Sequence, residues 1–200
     1  FSLFLVFLAA WQWAPGAMGI PPFIIPPLSK VWGEFLHMLS HEHLLWHTAI
    51  TAMQVLVGFL LGILLGIVCG FVLGMSPTAE FVLSPYILAL QIAPKVAFAP
   101  LFVIWFGYSV TPKILVAILI VFFPVMINVL SAVRAVDPDI VRLARAFTAS
   151  RLQVFWKIQF PASLPPMFAG LRIAATLAVI GVLVGELVGG NTGLGYLLTF

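Results

Sequence analysis

Two hundred residues with 63% apolar and only 8% charged side chains, and a mean hydropathy of +1.21, do not describe a water-soluble globule. Soluble domains carry about 25% charged and about 45–50% apolar residues. The net charge is +3, from nine Lys and Arg against six Asp and Glu, and cations scattered over apolar helices make no nucleic-acid-binding patch. One cysteine, Cys69 in an apolar run, excludes an intrachain disulfide and a Cys-built metal site.

Crossing a bilayer core takes roughly 20 apolar residues in a helix. Residues 1–14 are a partial span closed by Pro15-Gly16, and the mixed segment 15–45 predicts a polar helix from Ser29 to Leu45. Full spans follow at 47–74, 80–106, 113–133 and 165–188; the third is interrupted by Pro94 and Pro100, and the turn Gly107-Tyr108-Ser109 precedes the fourth. A polar segment, 134–163, separates the last two. The expected fold is an all-α integral membrane protein, a polytopic helix bundle with five visible spans, in which 1–200 form one transmembrane domain. Phe1 and the run Leu197-Leu198-Thr199-Phe200 read as interior points of a longer chain. Loop 134–163 holds five cations (Arg134, Arg142, Arg145, Arg151, Lys157) against two on the other side, Lys30 and Lys113. The positive-inside rule then makes 134–163 cytoplasmic and 15–45 external.

Glycine recurs every four residues at Gly58, Gly62, Gly66, Gly70 and Gly74, and again at Gly181, Gly185 and Gly189. Such stripes let helix backbones approach closely in lipid. His37, His41, His43 and His47 form two i, i+4 pairs in the external segment. With no HExxH and few carboxylates nearby they read as polar residues of an interfacial helix, and no metal site is expected. Lys95 and Glu186 are charges at membrane depth, where an unpaired ion is costly and by default marks a pathway. Pro94 and Pro100 flank Lys95 and free carbonyls that only protein or a wet cavity tolerates. A structural Lys95–Glu186 pair is the other reading, and the residues alone leave both open.

In loop 134–163, Asp137 is an N-cap with Pro138 at the first helical position. Ile140, Leu143, Ala144 and Phe147 then fall at i, i+3, i+4, i+7, one apolar face. A second short helix opens on the capping box Ser150-Arg151-Leu152-Gln153 and is expected to end at Pro161. A capped amphipathic pair of this kind lies on lipid or docks in a partner's groove.

The run from Arg142 to Pro161 resembles the EAA coupling loop of ABC importer permeases. Ala144, Ile158 and Pro161 match that pattern, and nine residues separate Thr148 from Ile158 as it requires. Arg142, Leu143, Thr148 and Phe160 depart from the usual Glu, Ala, Gly and Leu. Thr148 must adopt the turn conformation that glycine takes cheaply, at roughly 1–2 kcal/mol. Gln91 to Gly107, Phe122-Phe123-Pro124, Phe168 to Ala174 and Gly193 to Leu197 are similar, in order, to the nitrate/sulfonate/taurine branch, which includes pyrimidine-precursor and riboflavin importers.

The resemblance implies a type I permease of six spans, the sixth beyond residue 200, in a bacterial inner membrane. It implies a second copy of the chain, cytoplasmic ATPase subunits that carry ATP and Mg, and a periplasmic solute-binding protein, with no cofactor on this chain. The candidates for ATPase coupling are Ile140, Leu143, Ala144, Phe147, Thr148, Ala149, Ile158 and Pro161, and those for the pathway are Gln91, Pro94, Lys95, Pro100 and Glu186. No Gly-Lys dipeptide occurs, hence no P-loop in these residues. An ion-coupled secondary transporter using Lys95 and Glu186 is the alternative.

Overall fold

The computed structural model describes residues 2–199, whose regular elements are all helical. They gather into two compact units, one ending at Thr48 and one beginning at Ala49. In the first, α1 (Ser2–Ala17) and α2 (Leu28–Ser40) are joined by a proline-rich turn. Gln12 and Ser29 clasp the pair: the Gln12 amide donates to Ser29 Oγ at 3.0 Å and accepts from the Ser29 N–H at 2.9 Å. With 16 residues, α1 rises about 24 Å, short of the roughly 30 Å of a bilayer core.

The second unit is built on three long apolar helices: α3 (Leu44–Met75), which starts in the first unit, α6 (Thr111–Arg134), and a 39-residue stretch, Arg151–Gly189. The expected third span is instead a bent pair, α4 (Pro77–Ile92) and α5 (Phe98–Phe106), 76° apart across a 3₁₀ turn at Lys95–Ala97. Three helices are therefore long and apolar enough to cross a membrane, or four if the bent pair counts as one span. Five continuous spans are not found among the described residues. Pro94 causes the bend, because it can give no N–H to the Leu90 carbonyl. Pro100, in the first turn of α5 where an N–H is dispensable, causes none.

The glycine stripe of α3 lies on a matching ridge of α6. A Cβ at Gly62 would fall 2.7 Å from Val121, at Gly66 2.9 Å from Val125, and at Gly70 2.7 Å from Val129. Both numbers rise together, so α3 and α6 run parallel. Gly181 meets Ala117, Gly185 meets Lys113 and Gly170 meets Asn128; here one number falls as the other rises, so the last long helix is antiparallel to α6. Phe71, Val121, Val125, Val129, Val133, Met167, Ala174 and Ala178 close the core between the three.

Past α6, α7 (Pro138–Ala146) begins at Asp137, whose carboxylate accepts from the Asp139 N–H at 2.8 Å. It ends in a Schellman turn: the Thr148 N–H donates to Arg145 O at 2.9 Å and the Ala149 N–H to Ala144 O at 3.0 Å. Thr148 sits at φ +61, where glycine is at ease and threonine is not. Thr148→Gly should raise the thermal midpoint of the purified protein by about 2–4 °C, as about 1 kcal/mol of relieved backbone strain implies. A lowered midpoint would show that the threonine side chain contributes more than its backbone costs.

Ser150 and Gln153 form the expected capping box at the start of α8 (Arg151–Val154). The helix does not stop at Pro161, however. A π turn at Phe155–Gln159 carries α8 into α9 (Phe160–Gly189), with the Phe160 N–H donating to Phe155 O five residues back. The wider turn shifts the bonding register just before the residue that has no N–H. The last helix among the described residues is α10 (Leu194–Leu197).

Candidate translocation cavity and coupling face

The bend between α4 and α5 opens onto a cavity of about 600 Å³. Gln91, Pro94 and Lys95 line it from the bend, Ile120, Phe123, Pro124 and Asn128 from α6, and Leu177 and Ile180 from α9. Lys95 Nζ donates to Gln91 O at 2.5 Å and lies 5.2 Å from the centre of the Phe123 ring. The ammonium thus satisfies a carbonyl at the broken end of α4, where the helix dipole favours a cation, and rests on a π face. Asn128 Nδ2 donates to Pro124 O at 2.8 Å, and Asn128 is also on the cavity wall. A cavity with one ammonium, two amides and apolar walls suits a small solute held by a few polar contacts.

Of the residues expected on the pathway, the structure brings Gln91, Pro94 and Lys95 together. Pro100 does not line this cavity, and neither does Glu186. The Lys95–Glu186 pair does not form, because the bend turns Lys95 back onto α4.

Glu186 belongs to a separate buried polar centre. Its carboxylate accepts from Thr51 Oγ1 at 2.8 Å and from the Gly195 N–H at 2.7 Å, while Thr51 Oγ1 accepts from the Leu194 N–H at 2.8 Å. Its cationic neighbour is Lys113, which is 1% exposed rather than a loop lysine. Gln54 is buried completely on α3. The glycine stripe pointed at both: Gln54 is one turn before Gly58, and Lys113 one turn before Ala117, which Gly58 faces. At the other end of the bundle Arg134 pairs with Glu80, anchoring the last turn of α6 to the first turn of α4.

The coupling segment sits beside Arg134. On α7, Ile140, Leu143 and Phe147 are 50%, 59% and 77% exposed, an apolar face left largely uncovered among the described residues, with Ala144 half-buried at its edge. Arg142 pairs with Asp139 on the surface at 2.9 Å. Between this segment and the α3–α4 junction lies a cavity of about 1020 Å³, lined by Arg145, Arg151, Leu152 and Trp156 among others. Ile158 is half-buried in the π turn and Pro161 is exposed just beyond it.

In the first unit the His37 and His41 rings stack at 4.7 Å. His43, at φ +52, lies outside any helix, so the second expected pair shares no helical face. Glu34, His37 and Glu42, all exposed, bring ligand atoms within 4.8 Å of one another.

A broken apolar helix beside a solute-sized cavity, and a capped amphipathic helix at one end of the bundle, are features of a polytopic membrane protein. Known proteins agree. Residues 62–199 match the family described as binding-protein-dependent transport system inner membrane component. The chain is 42% identical to the riboflavin transport system permease protein RibX of Chloroflexus aurantiacus, over 97% of its own length and 72% of that protein's. It is 38% identical to a probable ABC transporter permease protein of Haemophilus influenzae (96% and 78% covered), and 32% identical to the taurine transport system permease protein TauC of Escherichia coli (96% and 72%). The chain belongs to this family: it is a multi-pass membrane permease subunit of an ABC importer, of the nitrate/sulfonate/taurine branch. Membership sets aside the ion-coupled alternative.

Proposed function

We propose that this permease passes a small solute, released by a solute-binding protein at one face, through the cavity beside Lys95, driven by ATPase subunits that dock on α7 at the other. The observation that carries the coupling half is the exposed face of Ile140, Leu143 and Phe147 on a helix fixed at both ends by capping bonds. A rigid apolar face rimmed by Arg142 and Arg145 suits a groove in a protein partner. ATP and Mg belong to that partner, since these residues hold no P-loop. The five cations of 134–163 favour a cytoplasmic position for it in a bacterial inner membrane.

A second copy of the chain completes the pathway, because the Lys95 cavity is only partly enclosed by one chain. Relatives named for riboflavin and formylaminopyrimidine transport, at 42% and 34% identity, stand beside those for sulfonates and taurine. Phe123, Gln91 and Asn128 together suit a flat ring with polar edges, which favours the heteroaromatic class.

The test is purification of the full-length permease from its native membrane, followed by uptake in proteoliposomes. An ATPase and a second copy of the permease should co-purify. Lys95→Met should lower uptake about tenfold with the complex intact, as loss of a charged contact inside a cavity implies. A permease that transports without any ATPase would overturn the coupling reading, and unchanged uptake by Lys95→Met would move the pathway elsewhere.

A further inference from the structure

The polar centre around Glu186 holds more donors than its acceptors use. Glu186 and Thr51 together accept the Leu194 and Gly195 N–H groups, which ties the segment after α9 to the end of the bundle remote from α7. The tie is close: Gly193 is at φ +112, and a Cβ there would strike the Glu186 carboxylate. Lys113 and Gln54 are buried as deeply, yet Lys113 Nζ and both amide atoms of Gln54 have no hydrogen-bond partner among the described residues. The Lys113 stem passes Gly185, the residue before Glu186, with its Cα 3.0 Å from where a Cβ would stand. The α3–α6 register sets Gln54 level with Lys113. Buried polar groups are nearly always paired, and an unpaired ammonium and amide are costly. This state therefore satisfies one set of donors at the expense of another.

We propose that Glu186 is the moving part of a two-position latch. In the position described it holds Thr51 and the Gly193–Leu197 segment. In the other its carboxylate accepts from Lys113 and Gln54, and the segment, having lost that acceptor, swings out to water, where its N–H groups are solvated. Two donor sets compete for one carboxylate, so the end of the bundle has two discrete arrangements rather than a continuum. The latch rests on the importer reading, which requires that end to open and close.

The experiment uses the full-length permease with its partners in nanodiscs, carrying Cys69→Ala and Leu194→Cys, and follows maleimide labelling at position 194. Leu194 joins the latch through its backbone N–H, so the cysteine preserves that bond. Glu186→Gln exchanges a charge-assisted hold for a neutral one and should speed labelling about tenfold. Lys113→Met and Gln54→Leu each remove a partner of the second position, so both should slow labelling several-fold and lower uptake. A fixed ion pair predicts the opposite sign for Lys113→Met: an uncompensated carboxylate would loosen the segment, and labelling would speed up as in Glu186→Gln. That result overturns the latch. Should Lys113→Met fail to fold, Gln54→Leu decides, being neutral and apolar at a fully buried position; unchanged labelling and uptake would equally overturn it. ATPase co-purification, measured on the same preparation, reports separately on the importer reading.

Discussion

Leu143→Asp is expected to release the ATPase subunits from the membrane complex while the permease stays inserted. Leu143 is 59% exposed in the chain, so an aspartate there keeps much of its carboxylate in water before docking. Ala144 is half-covered and is a poorer probe for that reason. In a docked complex, burial of a side chain such as Leu143 contributes about 1.5–3 kcal/mol, and a carboxylate in its place adds a desolvation cost of several kcal/mol. Together these exceed the tenfold loss that about 1.4 kcal/mol represents. Arg142→Gln is the control; it removes one exposed ion pair with Asp139, worth at most about 1 kcal/mol. Co-purified ATPase and solute-stimulated hydrolysis are the readouts. Full retention and normal hydrolysis by Leu143→Asp would remove α7 from the docking surface.

Gly70→Ala should cost folded protein, because the added methyl group has no room in the stripe. A Cβ there would stand 2.7 Å from the Met126 carbonyl oxygen and 2.7 Å from Val129 Cβ. Neither neighbour is the free end of a flexible side chain, so the two helices must part. Overpacking of this kind costs about 1–3 kcal/mol, and separation along the α3–α6 seam adds to it. Gly33→Ala is the counterpart: on exposed α2 its Cβ would meet nothing within 4 Å, and removing a helical glycine should stabilise by about 0.5–1 kcal/mol. Detergent-extracted folded yield and thermal midpoint should fall for the first and hold or rise for the second. Equal behaviour would mean that the seam yields freely.

What the sequence disclosed and what it hid divide along a physical line. Asp137, Ser150 with Gln153, and the strained Thr148 are local devices, each settled by bonds within a few residues, and each stands where its spacing placed it. The glycine period is nearly as local, because a four-residue stripe has one use in lipid. Partners across helices are another matter. A Lys95–Glu186 pair follows from depth alone, and depth ignores rotation about the helix axis. Pro161 looked like a stop because proline lacks an N–H, yet the π turn before it absorbs that lack without ending the helix. Lys113 passed for a loop residue since its cover comes from Gly185 and the α3 seam, which lie far away in sequence.

The π turn that joins α8 to α9 also has a mechanical meaning. From Arg151 to Glu186 the backbone is one continuous helix, a lever arm of about 54 Å at 1.5 Å per residue. If ATPase subunits dock on α7 as proposed, force passed to the start of α8 need not travel through loops or side-chain relays to reach the opposite end. A tilt of about 5° at the base displaces a tip that far away by about 5 Å, nearly one helical turn. The weakest joint in that arm is the five-residue π turn, directly beside the base. Its stiffness, set by Phe155, Trp156 and Phe160 packing on one another and on Phe71, fixes how much of each stroke arrives.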